Sequence, residues 1–325
     1  MRHVYKVEFF LQFFIKVYLL FLIPSSLLSQ AQDIEIDTPK KVIVDCDLCV
    51  GVDDVGALAM LHAMADQGEV EILAICYNEV HPMGIVAIDA INTWYNRGNI
   101  PIGQFKDTLA EPDESEYLNY LEKYSHDINR GSVQSACELY LKVLKNHEDQ
   151  SITIISLGFL NNLYNLLVNN PQLVSSKIKE LVIMGGVVND GFNLSHHNLV
   201  SQSEYVINNW PTPIVFSQSG THIITGTEFK NSKPNNPIHE AYYRMHSPYF
   251  NIHSSWDQVA VLYAVRGLNG YFKLVEEGNG KLTNGYEWSM KPDYRTYIEP
   301  IVSIRVLSSI IDDLMMKSPK NTDKD

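Results

Sequence analysis

The chain has 325 residues, with 25 Lys and Arg against 38 Asp and Glu; 45% of its residues are hydrophobic and 19% are charged. Hydrophobic content this high fills a core and excludes disorder over most of the length, while 18 Gly, 14 Pro and 4 Cys exclude collagen-like, low-complexity and disulfide-scaffold classes. The formal charge of −13 excludes broad, unspecific binding of nucleic acid polymers, which needs a cationic face to displace counterions.

At the N-terminus Arg2, Lys6 and Lys16 precede the apolar run Val17–Ile23, followed by Pro24 and the small-residue stretch ending at Ala31. This order predicts a signal peptide over residues 1–31, a secreted or periplasmic protein, and no stable membrane association after cleavage. Gln12 and Lys16 interrupt the apolar stretch, leaving too little length for a membrane span of ~20 residues. A single domain is expected over 32–316, with a charged tail over 317–325.

Strand and helix then alternate. Lys41–Asp47 (KVIVDCD) is a buried strand by its β-branched run, and Asp53–Asp66 follows as a helix. Val70–Tyr77 is the next strand, Ile85–Tyr95 a helix, and Ile100–Gly103 a short strand. Lys106–Gly131 is polar and irregular, and Val133–Asn146 is an amphipathic helix. Ser151–Leu157 is strand, Phe159–Asn169 helix, Ile178–Met184 strand and Ile214–Ser217 strand. A helical stretch follows residue 235, Phe272–Tyr297 has the turns of an antiparallel hairpin, and Ile301–Met316 closes as a helix. The pattern predicts an α/β fold with a mostly parallel central sheet flanked by helices, a Rossmann-like open sheet. Ligands of such sheets bind beyond the carboxyl ends of the strands, which selects the loops at Asp45–Asp54, Tyr77–His81, Leu157–Asn161 and Met184–Asn193.

The densest chemistry is Asp45-Cys-Asp47-Leu-Cys-Val-Gly-Val-Asp53-Asp54, four carboxylates within ten residues where a strand turns into a helix. A plain reading makes Asp53 the helix N-cap and leaves the others solvated; it leaves Asp45 and Asp47, at the end of an apolar strand, unexplained. A hard divalent cation accounts for the cluster, since Ca²⁺ takes 6–8 oxygens and favours Asp carboxylates with a backbone carbonyl. Cys46 and Cys49 form a C-x-x-C, but flanking negative charge raises a thiol pKa, so Cys46, Cys76 and Cys137 are read as small core residues.

The run KVIVDCDLCVGVDDVGALAMLHAMA resembles the N-terminal signature of the nucleoside hydrolases, and its spacing is similar to a bacterial secreted branch. VEILAICYNE, SITIISLGFLNNLYNLL, VIMGG, GFNLS and SWDQVAVLYA resemble further family segments in the same order. The resemblance implies Ca²⁺-dependent hydrolysis of the N-glycosidic bond of a ribonucleoside or related riboside, releasing ribose and base. It implies Asp47, Asp54, Asp257 and the Leu157 carbonyl as Ca²⁺ ligands, with Asp47 also the general base. Asp53, Asn78, Met184, Asn193 and Trp256 would contact the substrate, and Asp45 would support the loop. A small-molecule nucleoside or riboside is the expected partner, and a homo-oligomer is compatible with the sequence. Two departures stand out: Gly191 replaces a sugar-binding Glu, and Trp256 replaces the His that many members carry. His196 and His197 are then alternative proton donors, against the plainer reading as solvated loop residues. Two other functions compete: a non-catalytic calcium-dependent ribosyl-binding protein, and a haloacid-dehalogenase-type phosphatase with Asp45 as nucleophile.

Overall fold

Parallel strands in register bring six chain segments to one edge. Strands β1 (Lys40–Cys46), β2 (Val70–Tyr77), β3 (Ile102–Gln104), β4 (Ile152–Ser156), β5 (Ile178–Met184) and β6 (Ile214–Ser217) pair in the order β3-β2-β1-β4-β5-β6. Each of these pairings is parallel. Asp45 stands beside both Cys76 and Ser156, and Met184 beside Ser217, so the carboxyl ends of the strands lie side by side. The computed structural model describes residues 38–48, 50–186, 192–231, 235–246, 253–275, 279–282, 286–289 and 295–320, and only the backbone of 279–282 and 286–289. The expected signal peptide, Cys49, Gly191 and the last residues of the expected tail lie outside the described residues. The chain from Pro39 onward forms one compact unit.

β7 (Ile224–Thr225) and β8 (His253–Ser254) form a short antiparallel pair, as do β10 (Asn279–Leu282) and β11 (Tyr286–Ser289). β9 (Phe272–Val275) and β12 (Arg295–Pro300) complete the main sheet beside β6, β12 parallel to β6 and β9 antiparallel to β12. The antiparallel character expected over Phe272–Tyr297 is therefore present, but its outer strands extend the main sheet.

The helices are α1 (Asp53–Asp66), α2 (Gly84–Trp94), α3 (Ala136–Lys145), α4 (Asn161–Asn169), α5 (Pro171–Lys177), α6 (Val200–Asn209), α7 (Pro237–His246), α8 (Trp256–Arg266) and α9 (Ile304–Met315). Alternation along β1 divides them between two faces. Val42, Val44 and Cys46 pack with α1, α2, α8 and α9, while Ile43 packs with α3, α4 and α6. α1 is buried from Asp53 through Met64, as befits a helix without a polar stripe. Each of its leucines, fully buried, contributes roughly 1.5–3 kcal/mol. α3 starts later than its amphipathic pattern suggests because Ser135 and Glu138 form a capping box. Likewise α9 begins after Ser303, whose hydroxyl accepts from the Val306 amide.

Candidate functional site

The carboxyl ends of β1, β4, β5 and β6 open into a cavity of about 520 Å³. Asp47 follows β1, Leu157 follows β4, Met184 ends β5, and Ser217 ends β6; all four line it. The N-termini of α1 and α8 add Asp53, Asp54, Trp256 and Asp257. α1 packs directly on α8, so acidic first turns far apart in sequence, at Asp53–Asp54 and Asp257, meet.

Oxygens of Asp53, Asp54 and Asp257 lie within 4.8 Å of one another, and all three residues are buried. Oδ1 of Asp54 and Oδ1 of Asp257 have no hydrogen-bond partner among the described residues. The N-cap of α1 is Val52, which contributes no side-chain cap, so the plain reading of Asp53 as cap does not hold. Burial, followed by the charges of Asp47 and Asp53, pushes Asp54 well above the ordinary carboxylate range, against a bond from the Leu48 amide. Burial pushes Asp257 up in the same way, reinforced by Asp53, Asp54 and Asp47. Carboxylates held this close repel one another unless protonated or bound to a cation. A set of carboxylate oxygens, two of them buried without partners, fits a hard divalent cation. Asp47 lines the same cavity and hydrogen-bonds to Asp54, but the tight triad contains Asp53 in its place.

Asn193 also lines the cavity, and its Nδ2 donates to the carbonyls of Leu157 at 2.8 Å and Met184 at 3.1 Å. A carbonyl has two lone pairs, so the Leu157 oxygen retains acceptor capacity beside this bond. Asn78, expected to contact the sugar, is buried just behind the cavity lining. Its Nδ2 donates to Asp45 Oδ1 at 2.6 Å, and its Oδ1 accepts from the Phe159 amide at 3.3 Å. Asp45 accepts in addition from Tyr140 at 2.7 Å and Asn162 at 3.3 Å. Burial nevertheless pushes Asp45 up to about 7, against those three bonds. Fully enclosed and fully partnered, Asp45 is no nucleophile, which removes the phosphatase reading. Its bonds tie together Asn78, Asn162 and Tyr140, from three separate segments.

Trp256 lines the cavity, with its indole N–H donated to Thr221 Oγ1 at 3.1 Å. Neither His196 nor His197 lines it. His197 is buried: the Glu111 amide donates to its Nδ1 at 3.3 Å, so Nε2 carries the proton that faces Glu79 Oε2 at 2.9 Å. Burial lowers His197 to about 4 and raises Glu79 to about 7. His197 and Asn198 sit at φ of 56° and 63°, a strained pair held by this clamp. The histidine that does line the cavity is His253, which the sequence reading missed. Its Nε2 lies 3.4 Å from Asp53 Oδ1, and its Nδ1 3.2 Å from His246 Nε2. The available signal was its place three residues before Trp256, outside any strand or helix expected from periodicity. Cys46 and Cys76 are buried and unbridged, in keeping with their core reading.

A hydrolase from Crithidia fasciculata described as inosine-uridine preferring is 24% identical over 213 residues, covering 58% of this chain and 61% of that protein. The chain thus spans about three-fifths of that curated relative. An inosine-guanosine nucleoside hydrolase structure superposes with a TM-score of 0.66 at 18% identity, covering 85% of this chain and 98% of its own. A plant nucleoside hydrolase, PpNRh1, gives 0.64 at 17% identity, covering 86% and 99%. Both share the α/β fold with its eight-stranded, mostly parallel sheet. Residues 42–285 match the sequence profile of the inosine-uridine preferring nucleoside hydrolases, and with that match the chain belongs to their family.

Proposed function

We propose that the protein hydrolyses the N-glycosidic bond of a ribonucleoside or related riboside, releasing ribose and base. The observation that carries this reading is the Asp53, Asp54 and Asp257 convergence within 4.8 Å at a cavity of nucleoside dimensions. We assign the site to Ca²⁺, held by Asp47, Asp54, Asp257 and the Leu157 carbonyl; when bound, it orients water and favours its deprotonation. Asp47 takes the proton of the attacking water. Asp53, with one oxygen beside His253, accepts from ribose hydroxyls. Asn193 and the Met184 carbonyl flank the sugar, and the Trp256 ring stacks on the base. As the C1′–N bond breaks, positive charge on the sugar is stabilised by the carboxylates.

We extend the proposal to an exported protein of a bacterial secreted branch, cleaved near Ala31 and acting on small molecules; a homo-oligomer is compatible with it. The second reading, calcium-dependent riboside binding without turnover, is favoured by one observation: the Trp256 N–H is tied to Thr221 and cannot protonate a base. A reducing-sugar assay on a nucleoside and riboside panel, with Ca²⁺ and with chelator, separates the two. Ribose release that requires Ca²⁺ is expected; binding without release selects the second reading, and neither overturns both.

A further inference from the structure

We infer that the cavity prefers a riboside with a cationic aglycone, an N-ribosylpyridinium, over neutral purine and pyrimidine nucleosides; the inference rests on the hydrolase reading above. Three observations support it. First, charge: Asp47, Asp53, Asp54 and Asp257 line the cavity, and among the described lining residues there is no Lys or Arg. Four carboxyl groups without a Lys or Arg among the described lining residues give the cavity an acidic wall.

Second, an aromatic surface is fixed in place. Thr221 holds the Trp256 N–H, and Gly220, at φ +154°, runs so close that a Cβ would lie 2.5 Å from the Trp256 Cα. Phe192 lines the same cavity. An aromatic face attracts a cation through its quadrupole, and Trp is the strongest of these faces.

Third, the leaving group needs no proton. When a neutral nucleoside is cleaved, the electron pair of the C1′–N bond passes to the base, which then requires an acid. Trp256 cannot supply one, since its N–H is donated to Thr221, and among the described lining residues the other ring N–H donor is His253, whose Nδ1 is turned to His246 and whose Nε2 makes no hydrogen bond, 3.4 Å from Asp53 Oδ1. In an N-ribosylpyridinium the same pair neutralises the ring nitrogen. Water oxygen bonds C1′, Asp47 takes the water proton, and the products are ribose, a neutral pyridine and one released proton.

The test uses the full chain with Ca²⁺ and compares kcat/KM for nicotinamide riboside, 4-nitrophenyl riboside, uridine and inosine. The 4-nitrophenyl compound is a neutral riboside with an activated leaving group. Nicotinamide riboside should exceed uridine and inosine at least tenfold. Trp256→Leu should raise KM for nicotinamide riboside at least fivefold more than for 4-nitrophenyl riboside, with Trp256→Phe intermediate. Calorimetry should find N-methylnicotinamide bound at least fivefold tighter than neutral nicotinamide. Cleavage of 4-nitrophenyl riboside without preference for nicotinamide riboside overturns the inference and leaves the hydrolase reading standing. Equal binding of the two nicotinamides also overturns it. No ribose from any of the four overturns the hydrolase reading as well.

Discussion

Asp45 and Asp54 are both buried carboxyl groups at the carboxyl end of β1, yet their surroundings are opposite. Asp45 accepts from Tyr140, Asn78 and Asn162, three neutral donors drawn from separate segments. Asp54 faces Asp47, Asp53 and Asp257, and one of its oxygens has no partner. Burial alone penalises both charges. What distinguishes them is whether the chain itself supplies the compensating groups. Where it does, the carboxyl group ties elements together; where it does not, the compensation must come from outside, and a cation is the natural source.

The largest effect that would break this comparison concerns Asp45. Asp45→Ala removes the acceptor of the buried Tyr140 and Asn78 donors and leaves Asn162 with the Tyr77 carbonyl, so a loss of about 3 kcal/mol or more is expected whether or not Ca²⁺ is present. Asp257→Ala should do the reverse in metal-free protein, relieving repulsion and raising stability, while abolishing any gain from Ca²⁺. Urea denaturation of both variants with chelator and with Ca²⁺ checks the signs; an Asp45→Ala loss below about 1 kcal/mol would end the distinction.

Next in size is the metal itself. Ca²⁺ at a hundredfold excess over its dissociation constant should stabilise the native state by roughly 2.7 kcal/mol, read as a rise in Tm. Without metal the pH dependence has a defined sign. Asp54 and Asp257 have folded-state pKa values raised by burial and mutual repulsion. Their stabilising contribution is full below the ordinary carboxylate pKa and is lost as pH rises towards the raised values. Chelated protein should therefore lose stability on going from mildly acidic to alkaline pH, and Ca²⁺ should remove that decline. A Tm indifferent to chelator, metal and pH together would rule out the cation site.

A finer contrast lies between neighbours. Successive residues at a helix start point about 100° apart, so Asp54→Asn should weaken Ca²⁺ binding. Asp53→Asn should instead lower turnover, through loss of a charge-assisted bond of about twice neutral strength. Calorimetric Ca²⁺ titration with riboside turnover at saturating metal measures both; loss of Ca²⁺ binding in Asp53→Asn alone would transfer Asp53 to the metal. The smallest effect is at Glu79, another partnered carboxyl group. His197→Phe should cost about 1–2 kcal/mol and raise KM more than it lowers kcat, because the clamp holds the segment carrying Phe192 and Asn193. Unchanged KM would confine the clamp to stability.

The parallel sheet was legible because its strands are short β-branched runs separated by helices of fitting length. α6 was not: VSQSEYVINN buries Ser203, Val206 and Ile207 but is otherwise polar, too weak a stripe to read from periodicity. The acidic residues were visible as a cluster at Asp45–Asp54, whereas their division into a partnered one and facing ones was not. That depends on Tyr140 and Asn162, far along the chain, and on the packing of α8 against α1. The bond from Asn78 to Asp45 was hidden for the same reason: a polar residue just past a strand end points to a ligand in sequence, and its partner in the fold is not visible there. His253 escaped notice because its proximity to Asp53 arises from the β7–β8 pair, two residues per strand.

Gly158 follows the carbonyl of Leu157, and a Cβ at that position would lie 2.7 Å from the Cβ, Cγ and Oδ1 of Asp47. Substitutional tolerance should therefore be inverted across this dipeptide. Leu157, whose carbonyl accepts from Asn193, can exchange its side chain for another apolar one of similar volume. Gly158, which has no reactive group at all, cannot accept even a methyl without displacing the carboxylate next to it.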